Sequence, residues 1–385
     1  MPPRILFLLI ILLLLKCELM ASDSLCVEKI AKTNHHYKHF ISLNDKLYAL
    51  TDKGKLVIWT LNAFDTIANN LNDKGYHFSA IAVDKEKRVF IGTTRGHLFI
   101  LDTALLQLKL YLKRKYYIFS IGFNTANKLF LIIPFAVYQP QEKKTWTAFK
   151  NHTTGIIHKQ RVKGKWQIAD SYLELPDFTF MDSQDRWWIC ANDGEWGGHI
   201  QIFDTRTEAI IDNKFDSINP NGFAPRSAFE DSNRNIFISS EDMICSIAPD
   251  RTIHKWKYHF EFERPKVDTS TKVSTDSMGN IIVSVNRIPI IAPNYYYGPT
   301  VFDSQTSLIY ASDSRGVFLL QPSDLGIFDV KALLFTPIGF DKGIDEYHIG
   351  VSLKEMVLST KKEILYLSIH GELGYYYKNR LVLFK

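Results

Sequence analysis

One pattern recurs through most of the 385-residue chain and leaves it few ways to fold. It runs as a short apolar stretch, an Asp or Asn, three or four polar residues, a β-rich run, a Gly or Asp turn, and a second β-rich run. The clearest copy is Ala80–Asp102, AIAVD-KEKR-VFIGTT-RG-HLFILD. Other copies begin at Phe40, Phe178, Ser227, Lys272, Thr300 and Met356, with a weaker eighth at Phe119. In the copy at Ala80 the first strand is Ala80–Val83, and Asp84–Arg88 form a turn. Val89–Thr93 and His97–Leu101 follow as strands, separated by Arg95-Gly96. Leu106–Leu112 then alternates apolar and polar residues as an exposed outer strand does. An Asp or Asn after the first strand can accept hydrogen bonds from the next backbone amides in an Asx-type turn. Its recurrence at Asn44, Asp84, Asn124, Asp182, Asp231, Asp276 and Asp303 therefore reads as structural and not as a row of catalytic acids.

Four-stranded antiparallel units of about 40–50 residues in series are the signature of a propeller. The expected fold is all-β, a single β-propeller of seven or eight four-stranded blades. Turn-to-turn intervals are 40, 40, 58, 49 and 45 residues up to Asp276, then 27 to Asp303 and 56 to Ser359. This break leaves the copies at 276 and 303 as either two blades or one blade with an insertion. No stretch has convincing helical periodicity; Ala63–Leu71 suits a short helix or an outer strand.

Composition agrees with one large β unit. Apolar residues make up 46% and aromatics 13%, enough for an extended core rich in strand formers. The net charge of +5 is small and its Lys and Arg are scattered, which argues against nucleic-acid binding. The first 22 residues differ: Arg4 precedes the unbroken apolar run Ile5–Leu15, which spans only about 16 Å as a helix. That is too short for a transmembrane anchor and fits a cleaved signal peptide and a secreted or periplasmic protein. Lys16 stands where a lipoprotein motif has a small residue, which argues against lipidation of Cys17. The expected division is a signal at 1–22, a leader or blade-closing segment at 23–38, and the propeller at 39–385. Of the remaining cysteines, Cys26, Cys190 and Cys245, the last two sit in expected strands, and none has metal-type spacing.

The strand–Asp–turn–strand stretches, best seen in Met181–Ile189 (MDSQDRWWI) and Glu230–Ser239 (EDSNRNIFIS), resemble the periplasmic sensor propellers of two-component regulators. More loosely they resemble NHL and streptogramin-lyase-like propellers. The resemblance covers roughly residues 38–385 and implies a blade architecture, not a chemistry. This chain departs from the sensors by ending on a strand at Lys385, so signalling by the chain itself is not expected.

In such a propeller the loops joining the second and third strands of a blade, and those leading into each first strand, open on one face. The richest of these is Ala191–His199, which offers Asn192, Asp193, Glu195, Trp196 and His199 on a glycine-rich backbone. A second, Ile369–Gly374, carries His370 and Glu372. Loops leading into first strands add Tyr76-His77, Tyr116-Tyr117, Pro176-Asp177, Tyr347-His348 and Asn219–Arg226. Asn192, Asp193, Glu195, Trp196, His199, Arg226, His370 and Glu372 are the candidate ligand-binding set. No cofactor is expected from a specific motif. A divalent metal on Glu195, His199, His370 and Glu372 is the one cofactor this set would suit. Two insertions stand out: Phe135–Gly155, and Asn286–Gly298 with Tyr295, Tyr296 and Tyr297, an apolar aromatic loop suited to a partner contact. There is no Gly-x-Ser-x-Gly and no phosphate-cradling glycine loop. The expected function is binding of a protein partner or of a small-molecule or carbohydrate ligand at the channel mouth, without catalysis. The alternatives are a metal-assisted lyase or hydrolase, and a scaffold subunit of a cell-envelope assembly.

Overall fold

A computed structural model describes residues 26–30 and 35–384, with longer breaks at 148–158, 169–175, 212–224, 260–270, 286–296 and 336–352. Shorter breaks fall at 69–70, 72–74, 135, 163–164, 193–197, 241–242, 276–280, 314–315, 324–326, 360 and 379. All regular elements among the described residues are strands, and most of them form seven four-stranded blades of a β-propeller. The first, innermost strands of blades 1 to 7 are Tyr37–Leu43, Phe78–Val83, Ser120–Phe123, Phe178–Met181, Pro225–Glu230, Tyr297–Asp303 and Leu353–Leu358. Each blade runs outward in sequence order. In blade 2 the later strands are Val89–Thr93, His97–Asp102 and Gln107–Lys113, close to the sequence-based bounds.

Two of the irregular intervals have the same cause. Between blades 3 and 4 a separate hairpin forms from Lys159–Val162 and Lys165–Ile168. Between blades 5 and 6 another forms from Thr271–Thr275 and Ile281–Val285. The copy of the pattern at Lys272 is therefore a two-stranded insertion and not a blade, which fixes the count at seven. Conversely, the insertion expected at Phe135 begins with the third and fourth strands of blade 3, Ala136–Gln139 and Lys144–Thr147. Ala63–Leu71 contains the outer strand Thr66–Ala68.

The core is divided among the blade junctions. Seven buried apolar clusters are found among the described residues, one at each junction including that of blades 7 and 1. At the 7–1 junction Phe40, Ala49, Val57 and Trp59 meet Leu365, Leu367, Val382 and Phe384, with Trp59 and Phe384 edge to face at 5.1 Å. A blade alternates side chains to its two faces, so each blade is covered only when a neighbour lies on both sides. The strand Cys26–Ile30 pairs in parallel with Arg380–Phe384, adding a fifth strand outside blade 7. The outer strands of blades 5 and 6 also pair in parallel, Lys257 with Ile327 through His259 with Asp329.

Two recurrent turns set the faces. On one face, Asp84 accepts from the Arg88 amide (2.8 Å) and Arg88 Nε (2.7 Å). Asp182 accepts from the Gln184 and Arg186 amides (both 2.9 Å), Arg186 Nε (2.6 Å) and Trp188 Nε1 (2.9 Å). The recurring Asp thus closes the turn, while the left-handed conformation falls three residues later, at Lys87, Asn127, Asp185, Arg234 and Lys362. On the other face the turn reads Thr/Ser-x-x-Gly: Thr51–Gly54, Thr93–Gly96 and Ser368–Gly371. The hydroxyl accepts from the amide after the glycine, at 3.0, 2.9 and 3.0 Å for Lys55, His97 and Glu372.

Candidate functional site in the central channel

The seven innermost strands enclose a cavity of about 510 Å³ along the propeller axis. Because these strands start at the same face, their first residues share one mouth. The titratable side chains lining the cavity are His39, Asp177, Arg226, Lys354 and Glu355. All lie at or just before the beginning of an innermost strand. Further along, the wall turns apolar through Ile41, Ala82, Phe229, Val301, Val357 and Leu358.

A local backbone feature puts these residues there. In blades 1, 2, 5, 6 and 7 the innermost strand slips register against its partner, between 37 and 39, 78 and 80, 225 and 227, 297 and 300, and 353 and 355. Such a slip leaves a residue unpaired and re-aims the side chains around it. In blades 1, 5 and 7 the skipped residue is a cation: Lys38, Arg226 and Lys354. The next residue faces the channel and is His39, Ser227 or Glu355. Hydroxyls tie the inner strands of neighbouring blades together. Ser79 donates to the Ile118 carbonyl (2.7 Å), Ser120 meets Thr179 at 2.8 Å, and Ser227 meets Thr300 at 2.9 Å.

The electrostatics are unusual where the ring closes. His39 Nδ1 lies 4.0 Å from Glu355 Oε2, with about a third of each side chain open to the channel (38% and 32%). Desolvation in the throat, then the charges of Lys354 and Lys38, lower the His39 pKa to about 4. Desolvation pushes Glu355 up to about 7 against the opposing pull of Lys354 and a backbone hydrogen bond from Phe40. At neutral pH the histidine is therefore uncharged and Glu355 is partly protonated. Lys354 Nζ also donates to the Lys38 carbonyl (3.3 Å), joining blades 7 and 1 at the mouth. Across the channel, desolvation lowers the Arg226 pKa and the charge of Asp177 opposes it. Perturbed titrating groups gathered in a cavity mark a candidate site.

Of the sequence-based candidates, Arg226 lies in this wall. His370 and Glu372 belong to the Thr/Ser-x-x-Gly turn of blade 7, in the positions that Lys53 and Lys55 hold in blade 1 and Arg95 and His97 hold in blade 2. Through that turn the His370 carbonyl accepts from His36 Nδ1 (2.9 Å) and the Gly371 carbonyl from the Tyr37 amide (2.8 Å), which latches the last blade to the first. Neither residue lines the cavity. Asn192 ends the strand Arg186–Asn192 and pairs with Gly198, and His199 is the second residue of the partner strand Gly198–Asp204. Asp193, Glu195 and Trp196 lie outside the described residues, as do Tyr295 and Tyr296; Tyr297 opens the first strand of blade 6. No group of three His, Cys, Asp or Glu side chains suited to a metal occurs among the described residues. His39, Lys354 and Glu355 were missed because loops were searched and these residues sit on strands. The signal is present: at the skipped residue and the next, blades 1, 5 and 7 have KH, RS and KE, each with a cation, where blade 2 has SA.

No protein-family model and no curated protein matches the chain. Among solved structures it is similar to streptogramin B lyase, at 9% identity and TM-score 0.52 over 92% of this chain and 96% of that one. It is similar to the WD40 propeller domain of Doa1, at 9% identity and TM-score 0.51 over 91% and 95%. It also matches the extracellular domain of a proposed one-component system, BT4673 of B. thetaiotaomicron, at 13% identity and TM-score 0.31. In that case 88% of this chain covers 47% of the other, so the chain spans about half its length. At these identities the likeness establishes the propeller fold.

Proposed function

We propose that this protein is an exported binding propeller that holds a small polar ligand at the charged mouth of its central channel, without catalysing a reaction. One observation carries the reading: five titratable side chains from blades 1, 4, 5 and 7 line a single cavity large enough for a small molecule. Apolar walls below and hydroxyl and charged groups above suit a ligand with one polar end. Among the described residues no helix is long and apolar enough to cross a membrane; what supports export is the apolar run Ile5–Leu15, which has the length and flanks of a targeting signal.

The test is a thermal-shift and calorimetric screen of the full mature protein against sugars, organic acids, amino acids and divalent metals. Saturable binding that weakens when Arg226 or Lys354 is neutralised supports the channel site. Binding that is indifferent to both substitutions moves the site elsewhere. Mass spectrometry of the exported protein checks the leader: cleavage near Ala21 is expected, and an intact N-terminus in the exported form would count against it.

A further inference from the structure

From the arrangement of charges around the mouth we infer that the ligand is a small carboxylate carrying hydroxyl groups, its carboxylate held between Arg226 and Lys354 and its hydroxyls met by His39 and Glu355. This rests on the channel being the binding site. The first argument is the charge balance. Arg226 and Lys354 line the mouth, and Lys38 lies close enough to act electrostatically on His39. The acids facing them are Asp177 and Glu355, so three cations stand against two acids around the mouth.

The second argument is what lies beside the cations. His39, its ring kept neutral by the throat and by Lys354 and Lys38, presents one acceptor and one donor. Protonated Glu355 adds a donor. These groups recognise hydroxyls, not a second full charge. A phosphate fits less well. The described residues contain no helix whose N-terminus could turn amides toward the channel.

The titration of Glu355 gives the inference a sign. It is faced by Lys354 from its own strand, by His39 and Lys38 from blade 1, and across the channel by Asp177 and Arg226. As pH falls from 8 to 6 Glu355 gains a proton, the mouth loses a negative charge, and a carboxylate ligand binds more tightly. The ligand's own carboxyl remains ionised throughout that range. A cationic or zwitterionic ligand whose ammonium met Glu355 would show the opposite trend.

The experiment is calorimetric titration of the full mature protein with gluconate and glycerate, with glucose as the neutral probe, ethanolamine as the cation and inorganic phosphate as the alternative anion. Gluconate or glycerate is expected to bind more tightly at pH 6 than at pH 8. The Lys354→Gln variant, whose side chain is exposed, is expected to lose roughly tenfold in affinity. Glu355→Gln is expected to bring affinity at pH 8 to the level seen at pH 6 and flatten the profile. Preference for glucose or ethanolamine with loss on Lys354→Gln overturns the carboxylate assignment while leaving a channel site standing. Equal binding of phosphate and gluconate overturns it as well. Binding of no probe overturns both the ligand class and the channel reading.

Discussion

At the scale of single residues, position in the throat decides charge. His39 and Glu355 are both disfavoured in their ionised forms by the surrounding protein, and their effects on stability run in opposite directions. Glu355, raised from 4.5 to about 7, contributes stability that is complete below pH 4.5 and disappears as pH rises through 7. His39, lowered from 6.5 to about 4, contributes stability that is present above pH 6.5 and is lost as pH falls through 4. Glu355→Gln should therefore raise the melting temperature at pH 8 and leave it nearly unchanged at pH 4.5. His39→Asn should protect the fold at pH 4 and do little at pH 8. Melting curves of the two variants at the three pH values check this, and a Glu355→Gln effect independent of pH would falsify the assignment. The turn acid Asp182 belongs to the same scale. Its carboxylate satisfies two amides, an arginine and the indole of buried Trp188. Asp182→Ala should cost about 3 kcal/mol in urea unfolding and shift the tryptophan emission, because those donors lose their acceptor.

At the scale of elements, the blade-to-blade latch depends on glycine at one turn position. Gly96 has φ +77°, and a Cβ there would stand 2.7 Å from the Arg114 carbonyl oxygen, a backbone atom that cannot move aside cheaply. Gly371, at φ +78°, would meet the Tyr37 backbone at about 3.0 Å, where blade 1 hydrogen-bonds to blade 7. Gly75 has a similar φ of +66° but open space around it. Gly75→Ala should accordingly cost only the left-handed penalty, about 1 kcal/mol, and Gly96→Ala about 3 kcal/mol or more. Equal losses in chemical denaturation would show that crowding at the latch contributes nothing. The register slips are the element-scale counterpart on the inner strands: in blades 5 and 7 the skipped residue and the next, Arg226 with Ser227 and Lys354 with Glu355, both line the cavity.

At the scale of the whole molecule, stability comes from closing a ring of seven similar interfaces. Each blade is covered on both sides only if the 7–1 junction forms, and the chain supports that junction three times. Its core is built from Phe40, Trp59, Leu365 and Phe384; its latch is Tyr37 on Gly371; and the strand Cys26–Ile30 lies along Arg380–Phe384. Removing residues up to Ile30 should lower the melting temperature by about 5 °C while retaining the β-rich circular dichroism of the folded ring. An unchanged melting temperature would mean that the fifth strand adds nothing to closure.

The turn acids, the Thr/Ser-x-x-Gly turns and the period-2 runs are local signals, so blade architecture could be read from the chain with strand bounds close to those observed. Seven rather than eight blades could not, because Lys272–Val285 has the local pattern of a blade and lacks only the neighbours that would make it one. The candidate site was legible in part: Arg226 was reached through its loop, whereas His39 and Glu355 stand 316 positions apart in sequence and face one another only once the ring closes. Local sequence dictates turns, strands and the face each residue takes. Which charges share a cavity, and therefore how they titrate, is set by ring closure, a property that no single blade possesses.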